Sequence, residues 1–389
     1  MKHSSPNIYN VVLFWYMNDW GKFGRAYEKI AENLSLQDNI HKVLCILPPY
    51  RIRKRYGVLP FLYNNISSKL VVLTPNIRVS PLTRTSGSLK NLLKNIYFRF
   101  SLQQFIKNNA FEKSNTLLWI FPPHLYIKKL IELVPYRKII THIVDNNIYK
   151  ENESTEKISF FKNQYDEFAK NSDIVITASK SNYDYFSLLN SNCILFENAV
   201  DKVFLGVPSD FPYLTNKRRP RIGYTGFISE RTDIELLVYI AKNRPQYDLI
   251  LAGPVEIPTG QFEKLNLPNI YYEGVIPYER MPFFLQNLDV CLIAHRDTKF
   301  SRSMSPLKIF QYLASGRPVV STKVAGVDRW NGLISIAKNY YDFVCKVDEM
   351  LEKDTIEQSA TRIDTARSET WEKRVKLMTN AVFSFIDEK

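Results

Sequence analysis

The sequence predicts an α/β protein built from two Rossmann-like parallel-sheet domains facing a cleft, and three observations carry that prediction. Short β-branched or aromatic runs alternate with helical stretches through the first half of the chain. A second series of the same kind follows a polar, proline-rich break. The 389 residues, 45% of them hydrophobic, are enough to fill two, or at most three, separate cores. Strand and helix in alternation imply parallel strands joined by right-handed crossovers.

The first series of expected strands is Ile8–Tyr16, His41–Leu47, Leu70–Leu73, Thr116–Phe121, Lys138–Val144, Asp173–Ala178 and Asn192–Phe196. The second is Arg221–Thr225, Tyr247–Ala252, Asn269–Glu273, Asp289–Ala294, Pro318–Ser321 and Leu333–Ile336. Between them Gly206 to Pro220 reads as a linker, with the boundary near Ser209. The expected domains are therefore 1–208 and 209–363. The remaining segment, 364–389, is helical in pattern from about Asp364 to Asp387 and long enough to cross back onto the first domain.

Charge is distributed unevenly. The net charge is +13, and no acidic residue occurs between Asp38 and Glu112, a run of 73 positions that carries 12 cations. Among these are Arg51, Arg53, Lys54, Arg55, Lys90, Lys94 and Arg99, interleaved with rings such as Tyr50, Tyr63, Tyr97 and Phe100. Basic heads beside aromatic rings suit an anionic lipid interface or single-stranded nucleic acid. From Leu89 to Lys107 the apolar residues Leu89, Leu92, Leu93, Ile96 and Phe100 recur at helical spacing, which predicts a basic amphipathic helix for membrane contact. The N-terminal segment is polar, and the apolar stretch Val11–Met17 is too short to span a bilayer, so any membrane association is expected to be peripheral.

Four dispersed cysteines form no Cys-x-x-Cys pair and fit a reduced, cytoplasmic chain without a zinc site. The absence of an Asp-x-Asp pair removes the usual ligands of a metal-bridged diphosphate, so neither a metal nor a cofactor is expected.

Ligands of parallel sheets bind beyond the carboxyl ends of the strands. After the first strand comes Asp19-Trp20-Gly21-Lys22-Phe23-Gly24-Arg25, where Gly21 and Gly24 open a helix without a Gly-x-Gly-x-x-Gly or Walker pattern. The second series opens on Arg221–Thr225, then Gly226, whose lack of a side chain lets backbone approach a ligand, and Arg231, a cation suited to a diphosphate. In Ser301–Ser321, Ser303, Ser305 and Lys308 gather at a helix start near Pro306, where free N–H groups favour phosphate oxygens.

These segments resemble the bacterial GT-B glycosyltransferases of capsule, O-antigen and exopolysaccharide biosynthesis, including the teichuronic-acid type. The resemblance runs through Gly223–Asp233, Leu251–Pro254, Glu273–Pro282 and Ser303–Ser321, and is thinner in the first domain, at Asp19-Trp20, Trp119–Pro123, Val144–Asn146 and Asp173–Ser179. Many retaining relatives hold paired glutamates around the donor; this chain has Ser303 and Gln311 there. Ser305, Lys308 and Gln311 look instead like the donor site of the xanthan-type glucuronosyltransferase, an inverting enzyme that uses a UDP-sugar.

That resemblance implies Lys308 on the diphosphate, Ser305 and Gln311 on phosphate or ribose, Leu307 against uracil or ribose, and Gly274 on the donor side. It also implies a lipid-diphosphate-linked oligosaccharide as acceptor and action at the inner face of the plasma membrane. Asp145, following the strand Lys138–Val144, is the candidate base, with Asp19 and Glu230 in reserve and His124 as a loop residue. Two other readings are a nonenzymatic binder of anionic membranes or nucleic acid and a nucleotide-sugar epimerase of the same architecture. No nucleic-acid-binding signature is present, so no nucleic acid partner is expected.

Overall fold

The computed structural model describes residues 8–15, 17–50, 59–78, 89–123, 126–206, 219–324 and 326–387, with side chains from residue 93 onward in the helix that begins at Leu89. The chain divides into two units: Met1–Ala178 with Asn182–Phe196 and Val375–Lys389, and Ser179–Ser181 with Glu197–Arg374.

In the first unit the described strands are β1 Tyr9–Phe14, β2 Ile40–Ile46, β3 Phe61–Asn65, β4 Leu70–Pro75, β5 Thr116–Ile120, β6 Lys138–Ile143, β7 Ile174–Thr177 and β8 Cys193–Leu195. They lie in the order β3-β4-β2-β1-β5-β6-β7-β8. β1 pairs in parallel on both sides, with Leu13 opposite Cys45 of β2 and Trp119 of β5. All six of its residues are buried, as expected for a strand covered on both faces by crossover helices. Val12, Phe14, Leu44, Ile46, Leu118 and Ile120 pack with Phe98, Leu102 and Ile106 of the helix Leu89–Asn108.

The second unit has β9 Arg221–Thr225, β10 Asp248–Ala252, β11 Ile270–Tyr272, β12 Val290–Ile293, β13 Val319–Thr322 and β14 Ser335–Ala337, ordered β11-β10-β9-β12-β13-β14. Every recorded pair in it is parallel. β9 is central, and the chain leaves it first toward β10 and β11, then returns to its other side as β12. That reversal is a topological switch point, where the loops after β9 and β12 diverge and leave a crevice.

Two expectations are corrected. β3, which runs antiparallel to β4, was not anticipated. Only its first residue, Phe61, is buried, so an edge strand of mostly exposed side chains leaves no apolar run to read. The helix expected over Asp364–Asp387 is two helices, Ile356–Ser368 and Trp371–Asp387. The break is fixed by distant pairing, because Val200 donates its N–H to Glu369 O at 2.8 Å and accepts from Trp371 N at 3.0 Å. The end of the second helix packs in the first unit, where Phe383 stacks on Tyr9 at 5.0 Å. The expected linker falls largely on 207–218, outside the described residues.

Candidate functional site

In the second unit the carboxyl ends of β9, β10 and β12 bring together residues far apart in sequence. Gly226 follows β9 with φ +110°, and a Cβ there would stand 2.6 Å from Lys308 Cε. Gly253 follows β10 with φ +135°, and a Cβ there would meet Gly226 O at 2.2 Å. Gly274, beyond β11, accepts the Gly253 N–H at 2.7 Å. Three glycines thus line the sheet edge, and two of them are required for backbone and side chain to approach so closely.

Lys308 sits in the first turn of the helix Leu307–Ala314, which begins at Pro306 without a side-chain cap. Tyr312 of the same helix anchors it to the sheet: its hydroxyl accepts the Thr225 N–H at 3.0 Å and pairs with Thr225 Oγ1 at 3.0 Å. The Lys308 ammonium lies 3.5 Å from the Tyr224 ring centroid and 3.2 Å from His295 Nε2. Its side chain is half-buried, so it keeps a route to a ligand while the ammonium is held against protein.

Desolvation, then the nearby Arg231, holds Lys308 well below the usual lysine range. Burial, then Lys308 and Arg231, likewise holds His295 far down, so its ring stays neutral. Arg231 donates to Met304 Sδ at 3.1 Å and Ser229 Oγ at 3.3 Å, and its guanidinium lies 5.8 Å from the Phe300 ring centroid. Among the described residues, no carboxylate pairs with either cation. Two cations in one crevice without a counter-ion leave a charge deficit that an anion would fill.

The two serines behave differently from a simple phosphate cradle. Ser303 is fully buried, and its hydroxyl donates to Phe300 O at 2.7 Å. Ser305 Oγ accepts the Asn198 N–H at 3.1 Å, and its carbonyl accepts Asn198 Nδ2 at 2.6 Å. Ser303 thereby fixes the segment before the helix, while Ser305 retains its own proton to donate. Leu307 and Gln311 are half-buried, the first beside Lys308 in sequence and the second one turn further along. Glu230 is half-buried on the loop after β9.

In the first unit Asp19 is committed to its own turn. Its carboxylate accepts from Arg25 Nε at 2.7 Å, Tyr27 Oη at 3.1 Å and Trp15 Nε1 at 3.2 Å. Gly21 and Gly24 adopt φ +76° and +56°, the left-handed conformation this turn requires. Asp145 follows β6, half-buried, beside a cavity of about 10 Å³ lined by Trp15, Phe121, Pro122, His142, Val144 and Asn147. That is room for about one water. His142 is buried, accepts the Trp119 indole N–H at 3.2 Å, and is pushed down by burial to about 3, so it stays neutral.

Of the basic residues, Arg99 is exposed and Lys94 half-buried, whereas Arg51, Arg53, Lys54, Arg55, the Lys90 side chain and His124 lie outside the described residues. Tyr224 and Gly253 lie within segments that carry the resemblance, Gly223–Asp233 and Leu251–Pro254, but were not singled out as site residues, and neither was His295.

Residues 231–380 match the family model described as glycosyl transferase-like. The chain carries a glycosyl transferase-like domain in the GT-B fold. A Bacillus subtilis protein named as a glycosyltransferase of teichuronic acid biosynthesis, TuaH, is 25% identical over 111 residues; the match spans 28% of this chain and 28% of that relative. Sucrose-phosphate synthase from Thermosynechococcus elongatus superposes with a TM-score of 0.69 at 14% identity, covering 98% of this chain and all of that one. Anabaena HepE, solved with UDP and glucose, gives 0.62 at 14% identity over 96% of this chain and 99% of its own. At such identities the likeness establishes the fold.

Proposed function

We propose that this protein is a glycosyltransferase that moves a hexosyl group from a UDP-sugar onto a lipid-diphosphate-linked oligosaccharide during bacterial surface polysaccharide synthesis. The carrying observation is the Lys308–Arg231 pair, two cations at the switch point of the second unit that pair with no carboxylate among the described residues. In this reading residues 209–363 bind the donor and residues 1–208 the acceptor, and the last helix belongs with the first domain.

Transfer proceeds with inversion and without a metal. The acceptor hydroxyl oxygen forms a bond to the anomeric carbon, the bond from that carbon to the diphosphate oxygen breaks, and the hydroxyl proton passes to Asp145. UDP leaves with its added negative charge met by Lys308, Arg231 and the N–H groups at the start of the helix Leu307–Ala314. Ser305 and Gln311 contact phosphate or ribose, and Leu307 packs on uracil or ribose. Gly226 and Gly274 let the backbone approach the donor, while Ser303 holds the segment before the helix. Asp19, Gly21 and Gly24 shape the acceptor side.

A panel of UDP-sugars scored for slow hydrolysis and for transfer to a lipid-diphosphate acceptor tests this reading. Asp145→Asn is expected to lower transfer roughly 10²-fold or more while leaving UDP binding intact. Full turnover by that variant would remove Asp145 from the mechanism, and absence of UDP binding by the parent would remove the whole reading.

A further inference from the structure

The helix Leu89–Asn108 carries two apolar stripes. Phe98, Leu102 and Ile106, spaced four apart, are buried in the core of the first unit. Leu93, Ile96, Tyr97 and Phe100, spaced i, i+3, i+4 and i+7, are 60%, 55%, 45% and 59% exposed. At about 100° per residue the two sets lie on opposite sides of the helix. The first stripe accounts for docking the helix on the sheet, and the second takes no part in it.

Arg99 and Lys107 are exposed on the same helix. The sequence surrounding them, from residue 39 to 111, contains no acidic side chain. An apolar stripe flanked by cations is complementary to an anionic lipid surface, Arg99 more so than Lys107, which lines a cavity together with Glu112 and Glu132: rings and aliphatic chains enter the acyl boundary while guanidinium and ammonium groups meet phosphates. A nucleic acid would engage the cations but leave Leu93 and Ile96 without a partner. A second copy of this chain on the same patch would set like charges against each other. No described helix is long and apolar enough to cross a membrane, so this stripe would act at the surface.

We infer that Leu93, Ile96, Tyr97 and Phe100, with Arg99 and Lys107, form the surface that docks this chain on an anionic lipid bilayer. The inference deepens the proposed function and rests on it only for which membrane is meant.

Flotation of the full chain with phosphatidylcholine vesicles, with and without phosphatidylglycerol, tests it. The parent is expected to float with the anionic vesicles and to be released as salt rises. L93S/I96S/F100S is expected to lose binding by on the order of tenfold or more. R99E/K107E, which keeps the stripe, is expected to lose the salt-sensitive part. Thermal midpoints of both variants should match the parent, because the substituted side chains are exposed.

Equal flotation by the triple variant overturns the inference, as does a parent indifferent to phosphatidylglycerol. A parent dimer that the triple variant dissociates, with flotation unchanged, would make the patch an interface between copies and also overturn it. UDP binding on the same samples separates the two claims: a chain that floats without binding UDP keeps this inference and loses the donor reading, and one that binds UDP without floating does the reverse.

Discussion

Lys308→Met is expected to move stability and ligand affinity in opposite directions. Methionine keeps an unbranched stem of similar length against Gly226 and Tyr224 and removes only the charge. In the free protein that charge sits 3.5 Å from the Tyr224 ring centroid and 3.2 Å from His295 Nε2, near Arg231 and, among the described residues, without a carboxylate partner. Desolvating an ion costs several kcal/mol. Against this stand a cation–π contact of about 1–2 kcal/mol and a hydrogen bond of about 1 kcal/mol. The net relief on removing the charge is about 1–2 kcal/mol, and at roughly 2–4 °C per kcal/mol for a domain of this size the thermal midpoint should rise by about 2–8 °C.

Binding of UDP should fall at the same time. Charge-assisted hydrogen bonds to phosphate contribute about 1.5–3 kcal/mol, equivalent to about 10–150-fold in Kd. The pH dependence has a definite sign. Because the folded-state pKa of Lys308 is depressed, the unfolded chain binds more protons between that value and about 10.4, so the stability of the free protein rises with pH through that window. A diphosphate returns the proton, so UDP binding should take up protons at alkaline pH in the parent and not in Lys308→Met. Scanning calorimetry with and without UDP, and titration calorimetry in buffers of different ionisation enthalpy, read all three. A Lys308→Met protein that is less stable when free, or that binds UDP as the parent does, refutes the argument.

Two further predictions concern the first unit. His142 is pushed down by burial to about 3, so between about 6.5 and 3 the unfolded chain takes up a proton that the fold refuses, and stability falls as pH falls. The loss is on the order of 4 kcal/mol by pH 3, and His142→Gln, which can still accept from Trp119, should flatten that part of a urea-midpoint series. Glu28, in the first turn of the helix Ala26–Ser35, is raised to about 7, chiefly by burial; it accepts from the Gly21 N–H, and its Oε1 has no partner. Here the folded state holds the proton longer, so its contribution is present below about 4.5 and is lost as pH rises through about 7. Glu28→Gln should therefore stabilise by on the order of 2 kcal/mol at pH 8 and hardly at all at pH 4, and equal gains at both would refute the assignment.

Strand positions were readable where burial on both faces makes an apolar run, as in Tyr9–Phe14 or Val290–Ile293. They were unreadable where packing is one-sided, as in Phe61–Asn65. The break at Glu369 and Thr370 was not read because no Gly or Pro marks it, and the partner that fixes it, Val200, is about 170 residues away in sequence. The segment proposed for the donor, Ser301–Ser321, stood out as a pattern of polar residues before a helix. Its internal division of labour did not, since Ser305 is engaged by Asn198, 107 residues earlier. His295 and Tyr224 were not singled out because the first follows and the second lies within an apolar strand run that a core would explain equally well, Tyr224 being read only as part of Gly223–Asp233.

The surroundings of Asp19 beside β1 and of Lys308 beside β9 differ in a way that supports the proposed anion site in the second unit. Beside β1 in the first unit, Asp19 is met by three donors, including the Arg25 guanidinium, so its charge and hydrogen-bonding capacity are spent within the fold. Beside β9 in the second unit, Lys308 and Arg231 have a ring, an imidazole, a thioether and a hydroxyl as neighbours and, among the described residues, no carboxylate partner. Folding alone would favour an apolar residue at position 308, since a neutral side chain of the same volume avoids desolvation and repulsion together. A local arrangement that opposes stability, at the place where sheet topology opens a crevice, is the physical mark of a group kept for a ligand. In the proposed function, the sign of the unbalanced charge supports an anion as that ligand.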